Sequence, residues 1–209
     1  MLQAFRRPSA YLEQKTNYYG YRLQFVFVVL AGFAMGLDHF LMRWVWSEDI
    51  ALEITGVVWV LPVMNLLYAL IIWGGATVAI LFVSKVLVDS YSSATLFRRV
   101  GFGVIPLIIA GLAQSAGRLI AVLDFDDPEE PALTGFEHEM RVYEPWLEQA
   151  TTEPLFIVGT IIAIPFVLFA GYMWYLAIRE VSNADQRDGA ILAAIPTLLA
   201  LIWLLPGFL

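Results

Sequence analysis

Apolar residues fall into five long runs, at positions 23–44, 57–86, 100–123, 155–178 and 189–208, with polar segments between them. A bilayer's hydrocarbon core is about 30 Å thick and a helix rises 1.5 Å per residue, so a spanning helix needs roughly 20 apolar residues. Each run meets that length. The pattern predicts an all-α fold: a polytopic membrane helix bundle of five transmembrane helices, forming a single membrane domain over 1–209. The second run is long enough to tilt, or to continue into the interface past Lys85. A different reading splits it into two re-entrant halves meeting at Gly74-Gly75.

Composition agrees with this assignment. Hydrophobic residues make up 60% of the chain and charged residues 15%, against roughly 45–50% and about 25% in soluble domains. Mean hydropathy is +0.73. The net charge of −7 is concentrated in one place: the ten carboxylates between Asp124 and Glu153, set against Arg141 alone, give that segment −9 and leave about +2 for the rest.

Charge also orients the spans. Arg6, Arg7, Lys15 and Arg22 precede the first run, Lys85, Arg98 and Arg99 lie between the second and third, and Arg179 and Arg187 lie between the fourth and fifth. The positive-inside rule makes that side cytoplasmic. The N-terminus is then inside and the C-terminus outside, with 1–22 a cytoplasmic segment and 124–154 an acidic extracytoplasmic loop. About twenty polar residues precede the first run and no small-residue cleavage site follows it, so no signal peptide is expected. A multi-pass protein of the cell membrane results.

Lipid supplies no hydrophobic drive between helices, so their association depends on close backbone approach at small residues. Gly32/Gly36, Ala113/Gly117 and Gly159/Ala163 recur at four-residue spacing and are the candidate packing faces. Pro62, Pro106, Pro165 and Pro196 fall one in each of the last four runs, where neighbours can satisfy the carbonyls they free.

An ionisable residue inside a span is costly and marks a functional hypothesis. Asp38 and His39 lie near the outer end of the first run, Arg118 near the outer end of the third, and Asn65 at a similar depth on the second. We expect an Asp38–Arg118 ion pair with Asn65 or Gln114 beside it. The plainest role is a lock between the first and third helices, each charge offsetting the other's desolvation. The competing role is an ion or proton path.

The acidic loop contains Glu137-His138-Glu139, which has metal-ligand chemistry, but adjacent residues rarely converge on one ion and a solvated acidic loop is the simpler reading. Phe136, Tyr143 and Trp146 suggest an amphipathic helix over 136–150, returning to the interface or offering a docking surface. Tyr18, Tyr19, Tyr21, Trp44, Trp46, Trp174, Tyr175 and Trp203 fit interfacial belts. The chain has no cysteine and no G-x-S-x-G, H-E-x-x-H, glycine-rich phosphate loop or basic nucleic-acid patch. These absences lead us to expect no enzyme activity, cofactor, metal or nucleic-acid partner.

Three stretches carry a resemblance. Gly74-Gly75 near the end of the second span, SSATLFRRVGFGVIPLIIAGL, and WYLAIREVSNADQRDGAILAAIPTLLALI are similar in order and spacing to the Yip1 family. RRPSAYLEQ also resembles the pre-helical segment of its prokaryotic members. The resemblance implies a five-helix membrane domain. Eukaryotic relatives act in vesicle trafficking and bind small GTPases with help from a longer cytosolic N-terminal region; with about 21 residues before the first helix here, that binding is not carried over. What remains is a non-enzymatic membrane-organising role, or that of an accessory subunit in a complex. Its partners would be the lipid bilayer and other membrane proteins or a second copy of itself. A transporter or channel, or a subunit of one, with a polar path around Asp38 and Arg118 is the alternative.

Overall fold

The computed structural model describes residues 22–46, 50, 54–87, 93–128, 131, 135–182 and 184–204, and their regular elements are all helical. The first run becomes two pieces, α1 (Arg22–Met35) and α2 (Leu37–Met42). Gly36 separates them, with φ −112° and ψ 11°, outside the helical region. The next helix, α3 (Thr55–Leu87), is 33 residues long and continuous through Gly74 and Gly75. The re-entrant alternative is therefore excluded.

The third run starts earlier than its apolar pattern suggests. It comprises α4 (Ser93–Gly103) and α5 (Ile105–Ala121), interrupted at Val104. Pro106 has no N–H to continue the ladder, and the chain crosses the break with Leu107 N–H bonded to Val104 O at 2.9 Å. The acidic loop holds α6 (Phe136–Thr151), close to the expected 136–150, which begins after Gly135 at φ 130°. Such a backbone favours glycine. The last two helices are α7 (Pro154–Ser182) and α8 (Gln186–Leu204). Asp185 caps α8, its Oδ1 accepting from Asp188 N–H at 2.8 Å.

Four of these helices are long and apolar enough to cross a membrane: 55–82, 94–121, 154–181 and 186–204. At 14 residues α1 alone is shorter than a span. Segment 1–21, with Tyr18, Tyr19 and Tyr21, and the end of the fifth run beyond Leu204 lie outside the described residues. Large apolar side chains on α3, among them Val63, Ile71, Val78 and Phe82, are more than half exposed, as a lipid-facing surface requires.

The α4–α5 span is the axis of the bundle. Its apolar window is 61% buried, against 22% for that of α3, and α5 packs against α1, α2 and α7. The main core runs between these helices through Val28, Ile72, Val104, Val167, Trp174 and Leu192. A second core at the loop end joins Met42, Val57, Val122, Tyr143 and Trp146, so α6 sits over the helix ends as a cap. One face of that amphipathic helix packs on the bundle itself. Its buried face is Glu139, Tyr143, Trp146 and Ala150.

The small residues form mated faces. A Cβ added at Gly117 would lie 2.8 Å from Leu155 O and 3.1 Å from Gly159 Cα, and one added at Gly159 would lie 2.7 Å from Ala113 O. Ala113/Gly117 on α5 thus seats directly on Gly159/Ala163 of α7, with Ala163 fully buried. Gly32 and Gly36 meet α3 in the same way, at Leu66 Cα and Pro62 Cα. Gly103 leaves room for the indole of Trp174, which donates from Nε1 to Val100 O at 3.0 Å. Trp174 is fully buried and Trp46 nearly so, which takes both out of the expected interfacial belt, whereas Trp44 remains 70% exposed and fits it.

Candidate functional site

The intramembrane polar residues gather at the α6 end of the bundle. Because the chain breaks at Gly36 and restarts as α2, Asp38 and His39 are set on a short piece that faces the last turns of α5. Asp38 is completely buried, and its Oδ2 accepts from Arg118 Nη1 at 2.5 Å. Ser115, one turn before Arg118, places Oγ 3.0 Å from Asp38 Oδ1 and 2.9 Å from Ala34 O, so one hydroxyl proton serves two acceptors. Across from Asp38, the guanidinium lies over the Phe156 ring of α7 at 4.9 Å. A cation on an aromatic face gains electrostatic attraction without needing another anion. The expected Asp38–Arg118 pair is present and also engages a third helix.

The amides play separate parts. Gln114 Nε2 donates to Leu204 O at 2.8 Å, satisfying one of the carbonyls that the end of α8 leaves without a helical partner. Asn65 Oδ1 accepts from Trp203 Nε1 at 3.2 Å, and its Nδ2 donates to Leu61 O at 3.1 Å. Neither amide bonds the ion pair. Instead Asn65, Gln114, Arg118 and His39 line one cavity of about 410 Å³, whose other walls include Tyr68, Met140, Tyr143 and Trp203.

The cap ties into this layer. His39 Nδ1 is 2.6 Å from the Tyr143 hydroxyl of α6. Burial raises the Tyr143 phenol above its usual pKa, and the nearby Asp38 charge adds to the effect. The phenol stays protonated, and its hydroxyl donates to Nδ1 or accepts from it according to the imidazole tautomer. Glu139 is also buried, and its Oε2 accepts from Val57 N–H at 2.9 Å, in the first turn of α3. A carboxylate there satisfies an orphan donor and complements the helix dipole. Glu137 points elsewhere and pairs with Arg141 at 2.6 Å on the exposed side. The two carboxylates of Glu137-His138-Glu139 are therefore on different faces of α6, with Glu139 a cap on α3 and Glu137 in solvent.

Ser115 and Phe156 were not among the residues singled out from sequence, and Glu139 and Tyr143 were named only as members of the acidic triad and of the amphipathic helix, not of this layer. Glu139 had a signal: it shares a 3.6-residue period with Tyr143, Trp146 and Ala150, all buried. Ser115 and Phe156 carried none, since a lone serine or phenylalanine in an apolar run has no mark of its partner. At the opposite end of the molecule Arg99, at the start of the third span, forms an ion pair with Glu180. That contact joins two of the stretches on which the family resemblance rested.

No curated protein and no solved structure matches the chain. A family model for the Yip1 domain matches residues 2–207, which includes both partners of the Arg99–Glu180 pair and all the residues of the polar layer described above. With that match spanning nearly its entire length, this membrane protein belongs to the Yip1 family.

Proposed function

We propose that the protein is a non-enzymatic subunit that organises the cell membrane or assembles a complex within it. It spans five times, with the N-terminus inside, the C-terminus outside and α6 on the outer face. The first of these spans is α1 and α2 together: positions 22–42 rise about 31 Å at 1.5 Å per residue, enough to cross. One observation supports the assembly role above others. At the α6 end of the bundle the polar side chains tie helices together, Asp38 to Arg118 and Ser115, Gln114 to Leu204, and Asn65 to Trp203. Meanwhile α3 keeps a broad apolar surface exposed. Such a chain holds its own shape rigidly and offers its outside to lipid or to another span.

Photo-crosslinking amino acids placed at Val63, Ile71 and Val78 test this in native membranes. The proposal expects a discrete protein adduct from at least one of these positions. Lipid adducts alone at all three would contradict it.

A second reading, a transporter or channel subunit, draws on the cavity beside Arg118. Flux through proteoliposomes that disappears in a folded Gln114→Leu variant would favour it.

A further inference from the structure

The cavity beside Arg118 has a composition that the ties between helices do not explain. It is about 410 Å³, within the roughly 300–1,000 Å³ typical of small-molecule sites. Its wall is mostly apolar in area, with Met35, Leu61, Met140, Leu147 and Ile202 beside hydrogen-bonding groups such as Asn65, Gln114 and Arg118. Arg118 is among those groups and is only 8% exposed. A guanidinium has five N–H groups; among the described residues one protein acceptor, Asp38 Oδ2, meets them, at Nη1, and because Nε is walled off from the cavity the donors left to face it are on the terminal nitrogens. A buried donor left unsatisfied is costly, more so on a charged group. Arg118 therefore lines the cavity with donor capacity that the protein does not use.

Charge decides what kind of acceptor fits. Asp38 already neutralises Arg118 at 2.5 Å, and the further ionised group on the cavity wall is Glu144, a carboxylate at its exposed side. An anionic head would find no net positive charge there. An uncharged oxygen acceptor would gain hydrogen bonds without that repulsion. Depth points the same way. Leu61 is six residues, or about 9 Å, into α3, and Ile202 and Trp203 belong to the last turn of α8. That level matches the border between hydrocarbon and headgroups, where the ester carbonyls of glycerolipids lie. The half-exposed Ile202 is at the cavity's edge and faces outward.

We infer that this cavity binds the neutral glycerol-ester portion of a membrane lipid, with an ester carbonyl accepting from Arg118 and the acyl chain leaving past Ile202. The site holds one lipid against α3, α5, α6 and α8, and so makes lipid part of the surface that the bundle presents.

The test uses the full chain in detergent, with brominated dioleoylglycerol as a quencher of tryptophan fluorescence. Trp203 lines the cavity, so wild type shows saturable quenching, and Trp203→Phe identifies the part that arises there. Ile202→Phe, at an exposed position where folding is little disturbed, closes the opening without adding a tryptophan and loses the saturable component while eluting as wild type on gel filtration. Unbrominated dioleoylglycerol restores fluorescence; hexadecane, which lacks an acceptor, and oleate, which carries a charge, do not. Quenching that is unsaturable or unchanged by Ile202→Phe overturns the proposal. So does displacement by hexadecane as strong as by dioleoylglycerol, which would make the site a pocket for chains alone. Displacement by oleate in preference to dioleoylglycerol overturns it as well, since a free fatty acid would then be the occupant.

Discussion

Replacing Arg118 with methionine keeps the bulk of the side chain and removes its charge. Asp38 is then left in a fully buried position, with the Ser115 hydroxyl as its remaining hydrogen-bond donor among the described residues. Breaking one side of a buried pair costs about 3–5 kcal/mol, because the surviving ion keeps its desolvation penalty and loses its partner. Loss of the contact with Phe156 adds up to about 1 kcal/mol. Total stabilities are about 5–15 kcal/mol, so the variant should lose a large part of its thermal margin. The double variant Asp38→Leu/Arg118→Met removes both ions, and replacement of a whole buried pair by apolar groups is often neutral or stabilising. The assay is the fraction of monodisperse protein on gel filtration after heating in detergent, for wild type, each single variant and the double. The expected pattern is two unstable single variants and a double near wild type. If Arg118→Met alone is as stable as wild type, or if the double is no better than either single variant, the pair is not a lock and the reasoning fails.

Three further outcomes follow from the geometry. Gly159→Leu drives a side chain into the α5 backbone, where even a Cβ would lie 2.7 Å from Ala113 O; overpacking at this crossing should cost about 1–3 kcal/mol, read as a lower thermal midpoint on gel filtration. Glu139→Ala removes the cap on Val57 N–H and should cost about 0.5–2 kcal/mol, with faster amide exchange confined to the first turn of α3 and largely restored by Glu139→Gln. Burial raises the Tyr143 phenol above the ordinary phenol value of about 10, so its stabilisation is complete below that value and declines as pH rises through and beyond it, because the unfolded chain releases the proton first. Tyr143→Phe should flatten that alkaline loss in a pH series of thermal midpoints, while lowering stability at neutral pH by about 1 kcal/mol through the lost bond to His39.

The elements were legible in the sequence where a single physical rule decides them. Membrane thickness determines the length of an apolar run, so α3, α7 and α8 begin and end near their expected positions. The α6 helix was visible because its aromatics repeat at helical spacing. Asp38 and Arg118 could be paired from depth alone, since an ion in hydrocarbon needs a partner at its own level. The four-residue spacing revealed that Gly117 and Gly159 were packing residues, yet not that they pack on each other. Such choices depend on which helix faces which, and a periodic pattern contains no information on the neighbour. The same limit hid Phe156 beneath Arg118 and put Trp174 in the interfacial belt, when its indole fills the space left by Gly103. Position Gly36 was read as a packing residue and is one, but it also divides α1 from α2. The break is what turns Asp38 toward α5.

The central claim is that this bundle works as a structural subunit in the membrane. Its most direct test is native mass spectrometry of the protein extracted from its source membranes into nanodiscs at native salt. The account predicts a defined assembly in which a second protein, or a fixed number of copies of this chain, persists at constant ratio across preparations. A chain recovered alone, with lipid as its sole companion and no constant stoichiometry, would contradict it.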